Sequence, residues 1–187
     1  MIFEATPIAG SFVVEVQQRS DDRGFFARSF CQSEFAEVGL SYTVAQENVS
    51  FNHVAGTCRG IHFQLPPHAE LKLVRCTAGA IFDVVVDLRP ESADFGSWFG
   101  VELTAENRKA LVIPERCGHG YLTLKDSTEV TYQVSHPYTP GAESGLRPDD
   151  VTLDIRWPIP FVVVSDKDLM WDSLISQRAA IEVSMAP

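Results

Sequence analysis

The segment Leu71-Lys72-Leu73-Val74-Arg75-Cys76-Thr77-Ala78-Gly79-Ala80-Ile81-Phe82-Asp83-Val84-Val85-Val86-Asp87 reads as two strands about a tight turn. Both arms are enriched in β-branched residues, and Gly79 suits the positive φ of a hairpin turn. Side chains alternate between the two faces of a strand. Lys72 therefore shares a face with Val74 and Cys76, and Asp83 shares one with Val85, so ionisable groups fall where apolar neighbours point inward.

The same signature recurs on either side. Runs at 11–16, 24–30, 45–50, 58–64, 98–103, 110–113, 119–124, 129–135 and 151–155 are separated by Gly, Pro, Asn and Asp clusters, at the roughly 8–12-residue spacing of a sandwich or barrel. Two short helices are expected, one over 33–38 ahead of Gly39 and one near the C-terminus starting at Ser165 or Asp166. No linker, repeat or low-complexity run interrupts the 187 residues, so a single domain over 1–187 is expected.

Composition narrows the function. A chain with 45% hydrophobic residues, 12 Phe and 3 Trp can bury a sizeable core, and no apolar run approaches the ~20 residues of a membrane helix. The N-terminus lacks the pattern of a secretory signal, which points to the cytoplasm. Fifteen Lys and Arg against 25 Asp and Glu give a net charge of −10, which disfavours nucleic acid as a partner. An anionic ligand would have to be held by a few local cations. Cys31, Cys58, Cys76 and Cys117 form no C-x-x-C pair and read as reduced thiols.

Alternation also sets His62 and Gln64 on one face of their strand, opposite Ile61 and Phe63, and puts Tyr132 on the face of Val130 and Val134. A jelly-roll interior receiving His62, Gln64, Lys72, Asp83 and Tyr132 would be a polar pocket within an apolar shell, the usual form of a small-molecule site. Metal binding is disfavoured because the tight two-histidine pattern is missing: Gln64 follows His62, and His53, His68, His119 and His136 are scattered. Acid–base chemistry fits better. A neutral imidazole can accept a proton, a phenol can return one, and an ammonium can stabilise an enolate oxygen. On spacing alone, however, a strand His is more often a satisfied core residue and a strand Tyr usually just packs.

An ordered series of motifs goes further. Asp21-Asp22-Arg23-Gly24-Phe25-Phe26 is followed by Gln46-x-Asn48-x-Ser50, Arg59-Gly60-Ile61-His62-Phe63-Gln64, Lys72-Leu73-Val74-Arg75 and Phe82-Asp83-Val84. Ile113-Pro114, His119-Gly120, Tyr132, Tyr138-x-Pro140, Trp157-Pro158 and Ser165-x-Lys167-Asp168 complete it. The series resembles the dTDP-4-dehydrorhamnose 3,5-epimerase family over nearly the whole chain. The resemblance implies an all-β cupin jelly roll (double-stranded β-helix) with a few short peripheral helices. It also implies an enzyme without metal or cofactor, usually a homodimer, that epimerises a nucleotide-diphosphate 4-keto-6-deoxyhexose at carbon 3, carbon 5 or both.

By position, the resemblance makes His62 the base, Asp168 its partner, Lys72 the group facing the 4-keto oxygen and Tyr132 the acid. Diphosphate and sugar contacts fall on Arg23, Arg59, His119 and Lys167, with Phe26 and Asp83 also at the site. Nucleoside contacts fall on Gln46, Asn48, Glu143 and the stacking Tyr138. Arg28 stands where the family commonly has Glu, and Pro148 where it often has Trp, so the base that is read is open between dTDP and a CDP or GDP sugar. Simple readings stay beside these. Asp168 would serve equally as a helix cap, Asp83 as a buried hydrogen-bonding group, and Tyr121 as core. Arg59 would face away from His62 unless Gly60 marks a bulge. The alternative functions are a noncatalytic sugar-nucleotide-binding cupin and a 3,4-ketoisomerase.

Overall fold

The computed structural model describes residues 1–186. In chain order it contains β1 (Ile2–Ala5), β2 (Phe12–Glu15), β3 (Arg19–Asp21), β4 (Gly24–Phe26), α1 (Gln32–Glu37), β5 (Gln46–Asn52), β6 (Thr57–Gln64) and β7 (Lys72–Ala78). There follow β8 (Ala80–Asp87), β9 (Trp98–Thr104), β10 (Ala110–Ile113), β11 (Cys117–Thr123), β12 (Thr128–Val134), β13 (Glu143–Gly145), β14 (Val163–Val164), α2 (Asp166–Leu169) and α3 (Leu174–Ser184).

One sheet runs β1-β2-β10-β7-β12-β5 and the other β13-β6-β11-β8-β9, with β14 beside β6 and β3-β4 a separate hairpin. Among the described residues every strand pairing is antiparallel except that of β14 with β6. This is the cupin jelly roll. The expected strands 80–87 and 110–113 coincide with β8 and β10, but the hairpin reading of 71–87 needs correcting. β7 pairs with β10 and β12, and β8 with β9 and β11, so the turn carries the chain from one sheet to the other. Gly79 does take φ +78, and a Cβ there would lie 2.3 Å from Thr128 Oγ1. The turn chemistry was right and the partners were not, because a tight turn specifies reversal of direction rather than pairing.

The interior between the sheets holds Val13, Val74, Cys76, Leu111 and Val130 from one side and Ile81, Val85, Leu103 and Tyr121 from the other. The outer faces are apolar too. Ile61, Phe63, Val84 and Val86 are covered by Leu174 and Ile181 of α3 with Met185, while Val14, Leu73 and Val112 are covered by Phe35 of α1 with Leu40. Each fully buried aliphatic side chain contributes about 1.5–3 kcal/mol, so helices placed at the periphery still hold the sheets.

Two other expectations change. The run 151–155 alternates like a strand, yet Asp150 Oδ1 accepts from Thr152 N at 2.8 Å and Thr152 Oγ1 at 2.6 Å and folds it into turns. The single C-terminal helix is two. Ser165 caps α2 and Ser173 caps α3, and Trp171 between them packs against Gly145, where a Cβ would fall 2.5 Å from its Nε1.

Candidate active site

Alternation along β6 sends Ile61 and Phe63 into the outer apolar layer and leaves His62 and Gln64 inside. His62 stands opposite His119 of β11 and Gly145 of β13. The parallel pairing of Val163 and Val164 with Thr57 and Cys58 then lays α2 alongside β6. That contact brings Asp168 Oδ1 to 2.6 Å from His62 Nε2, with the Gly60 N–H donating to Oδ2 at 3.4 Å. Asp168 is buried. Burial pushes its carboxyl up, but the bond and charge of His62, with the Gly60 and Ser165 contacts, outweigh this and hold it below the ordinary carboxylate range. Its backbone N–H goes to Ser165 Oγ at 3.1 Å. The residue therefore lies in a capped turn and also pairs with the imidazole through its side chain.

A carboxylate only accepts, so His62 Nε2 carries the proton of this bond and Nδ1 is the acceptor of the neutral ring. Lys72 Nζ is buried 3.1 Å from Glu70 Oε1 and donates to the His62 carbonyl at 3.5 Å. Tyr132 projects from β12 between buried Val130 and Val134. Burial, then the neighbouring Tyr121, raises its phenol pKa, with Arg59 partly offsetting them, so it stays protonated at neutral pH.

These residues sit where two cavities meet. One, of about 330 Å³, is walled by Gln46, Asn48, Gln64, Glu70, Tyr138 and Glu143. The other, of about 420 Å³, is walled by Ser50, Arg59, His119, Tyr121, Lys167 and Asp168. His62, Lys72 and Tyr132 line both. In the first lobe Gln46 Nε2 donates to Asn48 Oδ1 at 2.6 Å, and the Tyr138 N–H donates to Gln46 Oε1 at 3.3 Å. At the rim Lys167 Nζ lies 2.5 Å from Glu143 Oε2, and that contact raises the ammonium pKa.

Gly60 does mark a bulge. The β6–β11 register shifts between the His119–His62 and Tyr121–Arg59 pairs, Gly60 takes φ +124, and Arg59 turns into the second lobe. Only glycine fits, since a Cβ would lie 2.4 Å from Gly120 Cα.

Four expected site residues lie elsewhere. Arg23 is at the tip of the β3–β4 hairpin, its side chain 90% exposed and its Nη2 2.5 Å from Asp21 Oδ2, while Phe26 of the same hairpin is 71% exposed. The hairpin belongs to neither large sheet, so it does not deliver them to its own cavity. Arg28 is drawn to Glu34 of α1, away from both lobes. Asp83 is wholly buried behind His119, its Oδ1 2.8 Å from His119 Nε2 and its Oδ2 without a protein partner among the described residues. Burial raises its pKa, partly offset by His119 and Lys72.

Glu70, Ser50 and Tyr121 were missed as wall residues. Tyr121 is two positions after His119 on one strand and so shares its face. Its ring packs in the core while its hydroxyl reaches Ser50 Oγ at 2.9 Å.

A jelly roll that ties its cavity imidazoles to carboxylates, and lines the same cavity with a phenol and a buried ammonium, is a cupin with a polar, ionisable small-molecule cavity. Residues 5–176 match the family model described as dTDP-4-dehydrorhamnose 3,5-epimerase. The chain is 42% identical over 165 residues to the dTDP-4-dehydrorhamnose 3,5-epimerase of Shigella flexneri, covering 88% of this chain and 91% of that protein. It is 39% identical over 162 residues to the dTDP-4-dehydrorhamnose 3-epimerase of Streptomyces niveus, covering 86% and 78%. The crystal structure of the Bacillus anthracis str. Ames 3,5-epimerase with TDP and PPi bound superposes with a TM-score of 0.89 at 38% identity, covering 92% of this chain and 99% of that one. The chain belongs to the dTDP-4-dehydrorhamnose 3,5-epimerase family and is an isomerase of the epimerase type. Among the described residues no helix is long and apolar enough to cross a membrane.

Proposed function

We propose that the protein inverts carbon 3, carbon 5 or both of a nucleotide-linked 4-keto-6-deoxyhexose, with dTDP-4-dehydro-6-deoxyglucose as the first substrate to test. The observation that carries the reading is the 2.6 Å His62–Asp168 bond at the junction of the two lobes. His62 Nδ1 takes the proton from the carbon beside the 4-keto group. The C–H electron pair becomes the enolate double bond, and the carbonyl pair moves to the oxygen, which faces Lys72. Asp168 stabilises the imidazolium. Tyr132 then donates its proton to the opposite face of the same carbon, the enolate collapses to the ketone, and exchange with solvent restores His62 and Tyr132.

Arg59, His119 and Lys167 hold the diphosphate and sugar in this reading, and Gln46, Asn48, Tyr138 and Glu143 hold the nucleoside. The relative crystallised with TDP supports a nucleotide ligand. The chain acts as a cytoplasmic, single-domain homodimer. Arg23 and Phe26, exposed on their hairpin, touch substrate only if the hairpin of one protomer reaches the cavity of the other. Incubation in deuterated buffer should place deuterium on carbon 3 or 5 of the dTDP sugar. No incorporation with dTDP, CDP or GDP substrates would overturn the reading, and a shifted carbonyl in the product would indicate a ketoisomerase instead.

A further inference from the structure

The inward face of β5 carries Gln46, Asn48, Ser50 and Asn52, all polar, whereas Val49 and Phe51 point outward and are 66% and 48% exposed. That inverts the pattern of β7, β9 and β12, whose inner faces are largely apolar. Gln46, Asn48 and Ser50 line the lobes, which accounts for them. Asn52 lines neither; it is 2% exposed and makes three side-chain contacts. Its Nδ2 donates to the Thr128 carbonyl at 3.2 Å and to Tyr121 Oη at 3.4 Å, while its Oδ1 accepts from Arg59 Nε at 2.8 Å. Tyr121 Oη is in turn fixed by Ser50 Oγ at 2.9 Å. A buried amide is costly unless its hydrogen bonds are made, and here the carbonyl oxygen is spent on one guanidinium.

We propose that Asn52, backed by Tyr121, is a positioning residue that aims Arg59 at a diphosphate. An Nε bond fixes the plane of a guanidinium and leaves its Nη1 and Nη2 edge free, the edge that takes phosphate oxygens in parallel. Arg59 has no carboxylate partner among the described residues, in contrast to Lys72 on Glu70 and Lys167 on Glu143. Asn52 supplies an acceptor without charge, so the arginine is held and its positive charge is not neutralised. Asp at the same place would bind Nε more strongly and oppose an anion.

The inference rests on the proposed role of Arg59. Its test compares dTDP, by calorimetry, with thymidine, by ligand-observed NMR, alongside turnover by deuterium uptake. Asn52→Ala should weaken dTDP roughly 5–30-fold, less than the full worth of a hydrogen bond to a charged group because a freed guanidinium still reaches the phosphate in part of its rotamers. It should leave thymidine within about twofold and raise KM with kcat within about threefold. Unchanged dTDP affinity, or equal losses for both ligands, overturns it, because a collapsed cavity would weaken both. Tyr121→Phe, which keeps the ring in the core, should give the same phosphate-dependent loss at about two- to fivefold, and it decides the matter if Asn52→Ala does not fold. Failure of the unaltered protein to bind dTDP or exchange deuterium would overturn the proposed function and this inference with it. A normal unaltered protein with an indifferent Asn52→Ala overturns only the role of Asn52.

Discussion

Asp168→Asn tests the acid–base assignment most directly. The substitution preserves side-chain size and leaves an oxygen able to accept from the Gly60 N–H, but removes the charge 2.6 Å from His62 Nε2. A hydrogen bond to a charged group contributes about 1.5–3 kcal/mol, which sets the minimum loss at roughly 10- to 150-fold in kcat. If the amide instead turns its NH2 toward the ring, His62 must accept at Nε2 and carry its proton at Nδ1. The wrong tautomer then faces the substrate, and the loss approaches the ~10⁴-fold found where an equivalent Asp is replaced in a serine protease triad. The assay is proton NMR of a dTDP-4-keto-6-deoxy sugar in deuterated buffer at saturation, following loss of the signals next to the carbonyl. A folded Asp168→Asn protein exchanging within threefold of the unaltered enzyme would refute the reasoning. Stability gives a second readout. The Asp168 carboxyl is held below its ordinary pKa in the folded state, so its contribution is fully present above the unfolded value of about 3.9 and is lost as pH falls through the depressed one. The difference in melting temperature between the two proteins should shrink on acidification below about pH 4.

Tyr132→Phe should still allow His62 to remove and return a proton, so deuterium appears in unconverted substrate while inverted product falls by about 10²–10⁴-fold; equal retention of both would remove Tyr132 as the acid. Asp83→Asn keeps an acceptor for His119 and deletes a buried carboxyl whose pKa is raised. The unaltered protein loses stability as pH rises above the ordinary carboxylate range and the variant does not, so thermal unfolding followed upward from about pH 4 should show the variant gaining relative stability. Gly60→Ala places a methyl 2.4 Å from Gly120 Cα and 2.7 Å from the His119 carbonyl at φ +124. It should lower stability by about 2–4 kcal/mol and weaken dTDP by displacing Arg59, as denaturant titration and calorimetry would measure.

What the chain reveals by inspection follows how local each constraint is. The inward setting of His62, Lys72 and Tyr132 depends only on strand alternation and on apolar neighbours two residues away, so it was readable. Arg59 required one further clue, the glycine beside it. Asp168 was out of reach of spacing because it meets His62 across 106 residues through the short β14–β6 pairing; only the family resemblance pointed to it. Glu70 escaped because it lies just before β7, outside the alternating run. The turn at Gly79 and the run at 151–155 misled for a shared reason. Local signals report backbone preference, and a sheet partner or a competing Asp150 side chain lies beyond them.

The proposed function asks a chain of net charge −10 to hold a diphosphate. Three cations line the lobes, Arg59, Lys72 and Lys167, and three carboxylates meet them or His62, namely Glu70, Glu143 and Asp168. Counting charge alone leaves no net attraction, but the pairs are not equally easy to open. Lys167 and Glu143 meet at the rim with side chains 56% and 22% exposed, where an ion pair is worth only about 0–1 kcal/mol, so the ammonium can turn to a phosphate at small cost. Lys72 and Glu70 are 9% and 7% exposed, and separating a buried pair strands two charges. On the proposed function, Lys72 therefore stays beside His62 for charge developing on the sugar, while Arg59 and Lys167 together form the field that meets the diphosphate. On that reading, position relative to solvent, more than the number of basic residues, divides binding from chemistry in this cavity.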